Sequence, residues 1–211
     1  MVAMAATRFF VVAALTIGLA SSAVPTGQAP VGFDAAFLNK TMRVDYIHTG
    51  GLGQEIIALD QVVSDGPWGG SHLRLVDDLN LGKYRFEVVD RRTNHVLYSR
   101  GFASIYGEWE TTAESRELSR SFHESLRFPW PKAPVQVVLK VRDAENSFHE
   151  LWSTVIDPNS RFVNPVDREP MGEVWSIFEN GPPSEKVDLL VIGEGYVAAE
   201  LSKFHADATR L

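Results

Sequence analysis

Two His-Glu dipeptides raise the question of a metal centre: "FHESLRF" at His123-Glu124 and "FHELWST" at His149-Glu150. A zinc peptidase centre built on a helix needs a second imidazole four residues after the first. Both rings then reach one ion, and the glutamate beside the first serves as base. Arg127 and Ser153 stand at those fourth positions. Both dipeptides also lie in strand-like sequence, where side chains four residues apart sit about 13 Å from each other. Neither pair is read as a metal site. His48, His72, His95 and His205 are scattered singly and read as surface or packing residues.

Near the end of the chain, Gly193-Glu194-Gly195-Tyr196-Val197-Ala198 fits the G-x-G-x-x-G/A spacing of a dinucleotide-binding turn. It comes after the apolar run "VDLLVI" (Val187 to Ile192) and opens a helical pattern, with Val197, Leu201, Phe204, Ala208 and Leu211 on one stripe. Glu194 would put a carboxylate against a pyrophosphate, and the acidic residue needed about 20 positions further on has no place. The turn therefore reads as a strand-to-helix connection that needs small residues. "DDLNLG" (Asp77 to Gly82) spaces Asp78 and Asn80 like ligands but lacks the rest of a calcium loop, so it reads as a polar turn. No G-x-S-x-G is present to suggest a serine nucleophile. The sequence thus assigns no catalytic residue, no cofactor-binding residue and no metal ligand.

The elements that would have to carry any chemistry are mostly strands. "KYRFEVVD" sets Tyr84, Phe86 and Val88 against Arg85 and Glu87, and Arg91 to Asn94 turn the chain back into "HVLYSRGF". "PVQVVLKVRD" alternates in the same way, turns at Ala144 to Asn146 and returns as "SFHELWSTVID". Period-2 alternation with polar turns argues for antiparallel hairpins, and several of them make a mainly β fold, an antiparallel β-sandwich. Of the five tryptophans, core packing is the expectation, with a sugar-binding platform as the alternative.

Composition narrows the partners. A net charge of −7 across 211 residues, without a run of basic residues, argues against nucleic acid and against an anionic membrane surface. With no cysteine, the fold must rest on its core, and thiolate chemistry is excluded. Arg8, the apolar run Phe9 to Ala20 and the small residues Ser21-Ser22-Ala23 have the layout of a signal peptide cleaved near Ala23. The run is too short to span roughly 30 Å of hydrocarbon. The expectation is therefore a secreted or otherwise exported protein that keeps no membrane anchor after cleavage.

The stretches "TMRVDYIHTG", "LYSRGFASIYGEWETTAE", "FHESLRFPWPKAPVQVVLKVRDAENSFHELWSTVIDP" and "FENGPPSEKVDLLVIGEGYVAAELSKFHADATRL" together resemble the IgA peptidase family of secreted zinc metallopeptidases. The resemblance runs from Thr41 to Leu211 and implies an N-terminal β-sandwich joined to the start of a zinc peptidase domain. With the signal-peptide layout (1–23), the small, polar, Pro/Gly-bearing leader (24–40) and the proline-punctuated linker (158–186), it divides the chain further into the sandwich (41–157) and the first strand and helix of a truncated α/β peptidase domain (187–211). The zinc-binding His-Glu-x-x-His of such proteins has no counterpart here, so zinc is expected only in a part of the peptidase domain beyond this sequence. The expected role is that of a non-catalytic accessory domain, inactive alone. Its parent would hydrolyse peptide bonds in extracytoplasmic proteins, and its partner would be the rest of the peptidase domain or a protein substrate. A stand-alone secreted binding module is the alternative. Val197 stands where many relatives carry threonine; without a side-chain cap the helix start is expected to be looser by about 1 kcal/mol.

Overall fold

The computed structural model describes residues 31–167 and 172–210. The expected signal peptide, its cleavage point at Ala23 and leader residues 24–30 lie outside the described residues, as do linker residues 168–171 and Leu211. Among the described residues, no helix is long and apolar enough to cross a membrane.

Two four-stranded sheets face each other, as the alternation predicts. One has the order β5-β1-β2-β8 and the other β4-β3-β6-β7. The strands are β1 (Phe37–Gly51), β2 (Gln54–Ser64), β3 (Tyr84–Asp90), β4 (Val96–Phe102), β5 (Arg120–Pro131), β6 (Val135–Arg142), β7 (Phe148–Ile156) and β8 (Val163–Asn164). All pairings are antiparallel except β2–β8, where Val62 and Val63 lie beside Val163 and Asn164 in parallel register. Both predicted hairpins form, with Tyr84 opposite Phe102 in one and Val135 opposite Ile156 in the other.

The core lies between the sheets. Met42, Val44 and Tyr46 of β1 meet Tyr84, Phe86 and Val88 of β3 and Val135, Val137 and Leu139 of β6, all buried. Phe86 and Phe128 bridge the sheets with ring centroids 6.2 Å apart. Each such side chain contributes about 1.5–3 kcal/mol by leaving water. Trp130 is buried, and Trp68, Trp109 and Trp152 pack against the same cluster, so four of the five tryptophans serve the core.

Two expectations about the ends are corrected. Residues 33–40, read as flexible leader, are folded: α1 (Phe33–Ala36) forms one turn and β1 begins at Phe37. The cause is apolar burial, since Phe33 and Phe37 are only 6% and 1% exposed. At the other end, Val187 to Ile192 form no strand. Every ladder hydrogen bond needs a neighbouring strand, and none lies beside this segment among the described residues. Val187, Leu189, Leu190 and Ile192 are accordingly exposed.

The helix after that segment does form. A 3₁₀ turn, Ala198–Glu200, leads into α3 (Leu201–Thr209). Valine at 197 removes one arm of a capping box, as expected, but the Glu200 carboxylate still accepts from the Val197 N–H at 3.2 Å. Trp175 of the linker packs on α3 at Phe204 and His205, and Gly193 lies where a Cβ would press on the Phe204 ring. The first part of the expected linker also docks, because β8 lies at 163–164 and Val163 is buried.

Candidate functional site

One end of the sandwich carries a buried charge cluster. Along β1 the inward series runs Val44, Tyr46, His48, so an imidazole comes after two core side chains on the same face. His48 is 1% exposed. Its Nδ1 lies 3.0 Å from Glu124 Oε2 on β5, and its Nε2 lies 2.9 Å from Glu55 Oε1 on β2. Tyr46 donates its hydroxyl to Glu124 Oε2 at 2.9 Å, and Tyr84, from the opposite sheet, donates to Glu55 Oε1 at 2.8 Å.

A short helix closes this end. α2 (Ile105–Trp109) starts at Ser104, whose side chain caps Gly107 N–H. The Tyr106 ring stacks on His48 at 3.8 Å and 22°, its backbone N–H donates to Glu124 Oε1 at 3.0 Å, and its hydroxyl donates to Gln54 O at 3.3 Å. That hydroxyl lies directly against Gly50, where any Cβ would collide with it. The β1–β2 turn beside it places Leu52 and Gly53 at φ +56° and +77°, two successive left-handed residues as in a type I′ hairpin.

The electrostatics of the three groups pull the same way. Burial pushes the His48 proton off, but its hydrogen bonds to Glu124 and Glu55 outweigh that, and the imidazole pKa is raised. Burial likewise works against ionised Glu55 and Glu124. Bonds from His48 and Tyr84 to the first, and from His48, the Tyr106 N–H and Tyr46 to the second, overcome it and lower both carboxyls. Tyr46 and Tyr84 are pushed well above the usual phenol range, burial first and the neighbouring carboxylates next. Between pH 4.5 and 6.5 the centre is therefore an imidazolium between two carboxylates. In that state both ring nitrogens donate and His48 offers no lone pair.

Glu55 and Tyr106 also line an open cleft of about 560 Å³, walled by the Gly51–Gln54 turn on one side and by Glu110, Ser115 and Arg116 on the other. Lys83 pairs with Glu110 at its edge.

The histidines of the two His-Glu pairs fall elsewhere. His123 and His149 are strand residues on the surface, paired with Asp60 and Asp143. His123 points outward while Glu124 points into the charge cluster, so the apparent His-Glu motif is split across the two faces of β5. On the outer face of the first sheet Asp45, Asp60 and His123 come close enough for a metal ion. Arg43 forks onto Asp45 at 2.8 and 3.0 Å, and Gln61 donates to it at 2.8 Å, so a guanidinium already neutralises the buried carboxylate. The residues present do not fit zinc. Asp77, in the polar turn, caps Leu79 N–H and Gly101 N–H and acts as a structural acceptor.

Sequence reasoning missed His48, Glu55, Tyr84, Tyr106 and Glu124 as a group. One clue was present: Phe122, Glu124, Leu126 and Phe128 alternate, and Glu124 is a charged residue in an inward series.

A family model described as Peptidase M64 N-terminus matches residues 32–153, more than half of the chain, and covers the sandwich from α1 into β7. The chain belongs to the peptidase M64 family. No curated protein matches it significantly. The M64 match starts at Gly32, next to the buried Phe33 and Phe37, which agrees with a fold that begins before Thr41. It also places the whole charge cluster, from Tyr46 to Glu124, inside the M64 N-terminal region.

Proposed function

We propose that this chain is the non-catalytic N-terminal accessory domain of a secreted, IgA peptidase-like zinc metallopeptidase. The observation that carries the reading is the match to the M64 N-terminus over residues 32–153, lying on a sandwich rather than on a helix that could bear a zinc motif. The His123-Glu124 pair supports it, because strand geometry sends its histidine and its glutamate to opposite faces. The parent would hydrolyse peptide bonds in extracytoplasmic proteins, with zinc and its ligands supplied by the peptidase domain. Export rests on the layout from Arg8 to Ala23.

In this role the sandwich presents the peptidase domain attached to its C-terminal side. β8 and the Lys40–Asp167 ion pair tie the start of the linker to the first sheet. Apart from Asp188 the run Val187 to Ile192 is apolar, close to the composition of a central strand in a sheet covered on both sides. The cleft beside Glu55 favours a second reading, a secreted binding module.

Reading the coding DNA past the codon for Leu211 separates the two. A frame that continues to a His-Glu-x-x-His, together with zinc-dependent proteolysis by the product, supports the accessory domain. A stop codon with no downstream peptidase frame supports the binding module.

A further inference from the structure

Two of the contacts that seat α2 on the sandwich run through ionisable groups. Its Tyr106 ring lies on His48 and its Tyr106 N–H donates to Glu124. Other attachments lie outside that set: the Tyr106 hydroxyl on Gln54 O, the Trp109 Nε1–H on the Glu114 carboxylate at 2.8 Å, the Ser115 hydroxyl on Glu110 O and the Lys83–Glu110 pair. Trp109 packs beside Tyr106, with ring centroids 5.7 Å apart, and against Phe122 of β5 at 5.5 Å. With only five residues, the helix cannot hold its place by propensity, because helices this short are marginal in water. From these contacts we infer that α2 is a pH-responsive latch, seated on the end of the sandwich while His48 and its two carboxylates are ionised and released when that set is broken.

The chemistry works in both directions. A neutral imidazole keeps one N–H, so at high pH one of two buried carboxylates meets a lone pair at about hydrogen-bond distance. The same change removes the cation from beneath the Tyr106 ring. At low pH, protonation of Glu124 removes the charged acceptor of the Tyr106 N–H. Tyr46 and Tyr84 face the cluster as neutral phenols and only donate. Lys83 and Glu110 sit at its rim, and burial lowers the Lys83 pKa while Glu55 opposes that shift. The raised His48 and the lowered Glu55 and Glu124 place the seated state between the carboxylate and imidazole ranges. Because Tyr106 and Glu110 form one wall of the open cleft, release of α2 would widen it.

Hydrogen–deuterium exchange on the full chain tests this, with rates corrected for intrinsic pH dependence. Between about pH 6 and pH 9, protection of the Tyr106, Glu108 and Glu110 amides should fall at least about tenfold relative to Val137 to Leu139 of β6. The fall should share its midpoint with the titration of the His48 ring, tracked by imidazole NMR in the unmodified chain. His48→Gln should abolish the step while β6 stays protected. Loss of α2 protection only in parallel with β6, a midpoint that does not track His48, or an unchanged step in His48→Gln would overturn the latch. If His48→Gln fails to fold, the two midpoints in the unmodified chain decide the matter alone.

Discussion

His48 and Tyr106 stack at 3.8 Å, one from an inner strand of a sheet and the other from the helix that caps it. The contact joins a titratable core residue to a surface element. It exists because Gly50 leaves room for the tyrosine hydroxyl and because Glu124 holds both the imidazole and the Tyr106 amide.

Replacing His48 with leucine should cost about 3–5 kcal/mol in urea unfolding near pH 6, because it leaves Glu55 and Glu124 facing each other without a cation. The wild-type stability should also vary with pH in a defined sense. The His48 pKa is raised from its ordinary 6.5, so its contribution is full below that value and is lost as pH rises through the higher folded value. Glu55 and Glu124 are lowered from 4.5, so theirs is full above that value and is lost as pH falls through the lower folded values. The stability plateau should therefore lie between 4.5 and 6.5, and His48→Leu should remove its alkaline shoulder. An unchanged alkaline limb in the variant would refute this assignment.

Gly50→Val should expel Tyr106 from its seat. The added carbon atoms collide with the tyrosine hydroxyl and with Gln54 O. An overpacked site of this kind costs about 1–3 kcal/mol. Near-UV circular dichroism should lose tyrosine signal while the far-UV β spectrum stays, and retention of both would count against the close approach.

Leu52→Asn should stabilise the protein by up to about 1 kcal/mol. Leu52 is exposed and sits at φ +56°, a region that asparagine occupies more easily than leucine. A lower unfolding midpoint would mean that the leucine side chain contributes more than its strain costs.

The sandwich was legible because its strands alternate cleanly: Tyr84, Phe86 and Val88 announce their inward face without help from the rest of the chain. Residues 33–40 were not, since Phe33 and Phe37 stand among small and polar neighbours and only the assembled core shows where they go. The strand expected at Val187 to Ile192 failed for the opposite reason: its residues suit a strand, but strand formation depends on neighbours that six residues cannot supply. The charge cluster was hidden by separation: the β1–β2 and β1–β5 registers bring His48, Glu55 and Glu124 together, and α2 adds Tyr106. The strand reading of the His123-Glu124 dipeptide was legible, and its two side chains lie on opposite faces of β5.

Limited proteolysis should cut first between residues 172 and 200, where Val174, Phe178, Val187 and Leu189 are exposed and outside any helix or strand. A resistant product ending near Asp167 should carry intact β1 to β8. Protection of Val187 to Ile192 in a monomer would contradict the exposure of that segment.

The most direct test of the accessory-domain role is to purify the chain from a zinc-supplemented source and measure bound zinc and peptide-bond hydrolysis on the same sample. An accessory domain should hold no stoichiometric zinc, hydrolyse no denatured protein substrate, and keep its thermal midpoint when a chelator is added. One tightly held zinc per chain with chelator-sensitive hydrolysis would contradict that role and place a catalytic centre within this sequence.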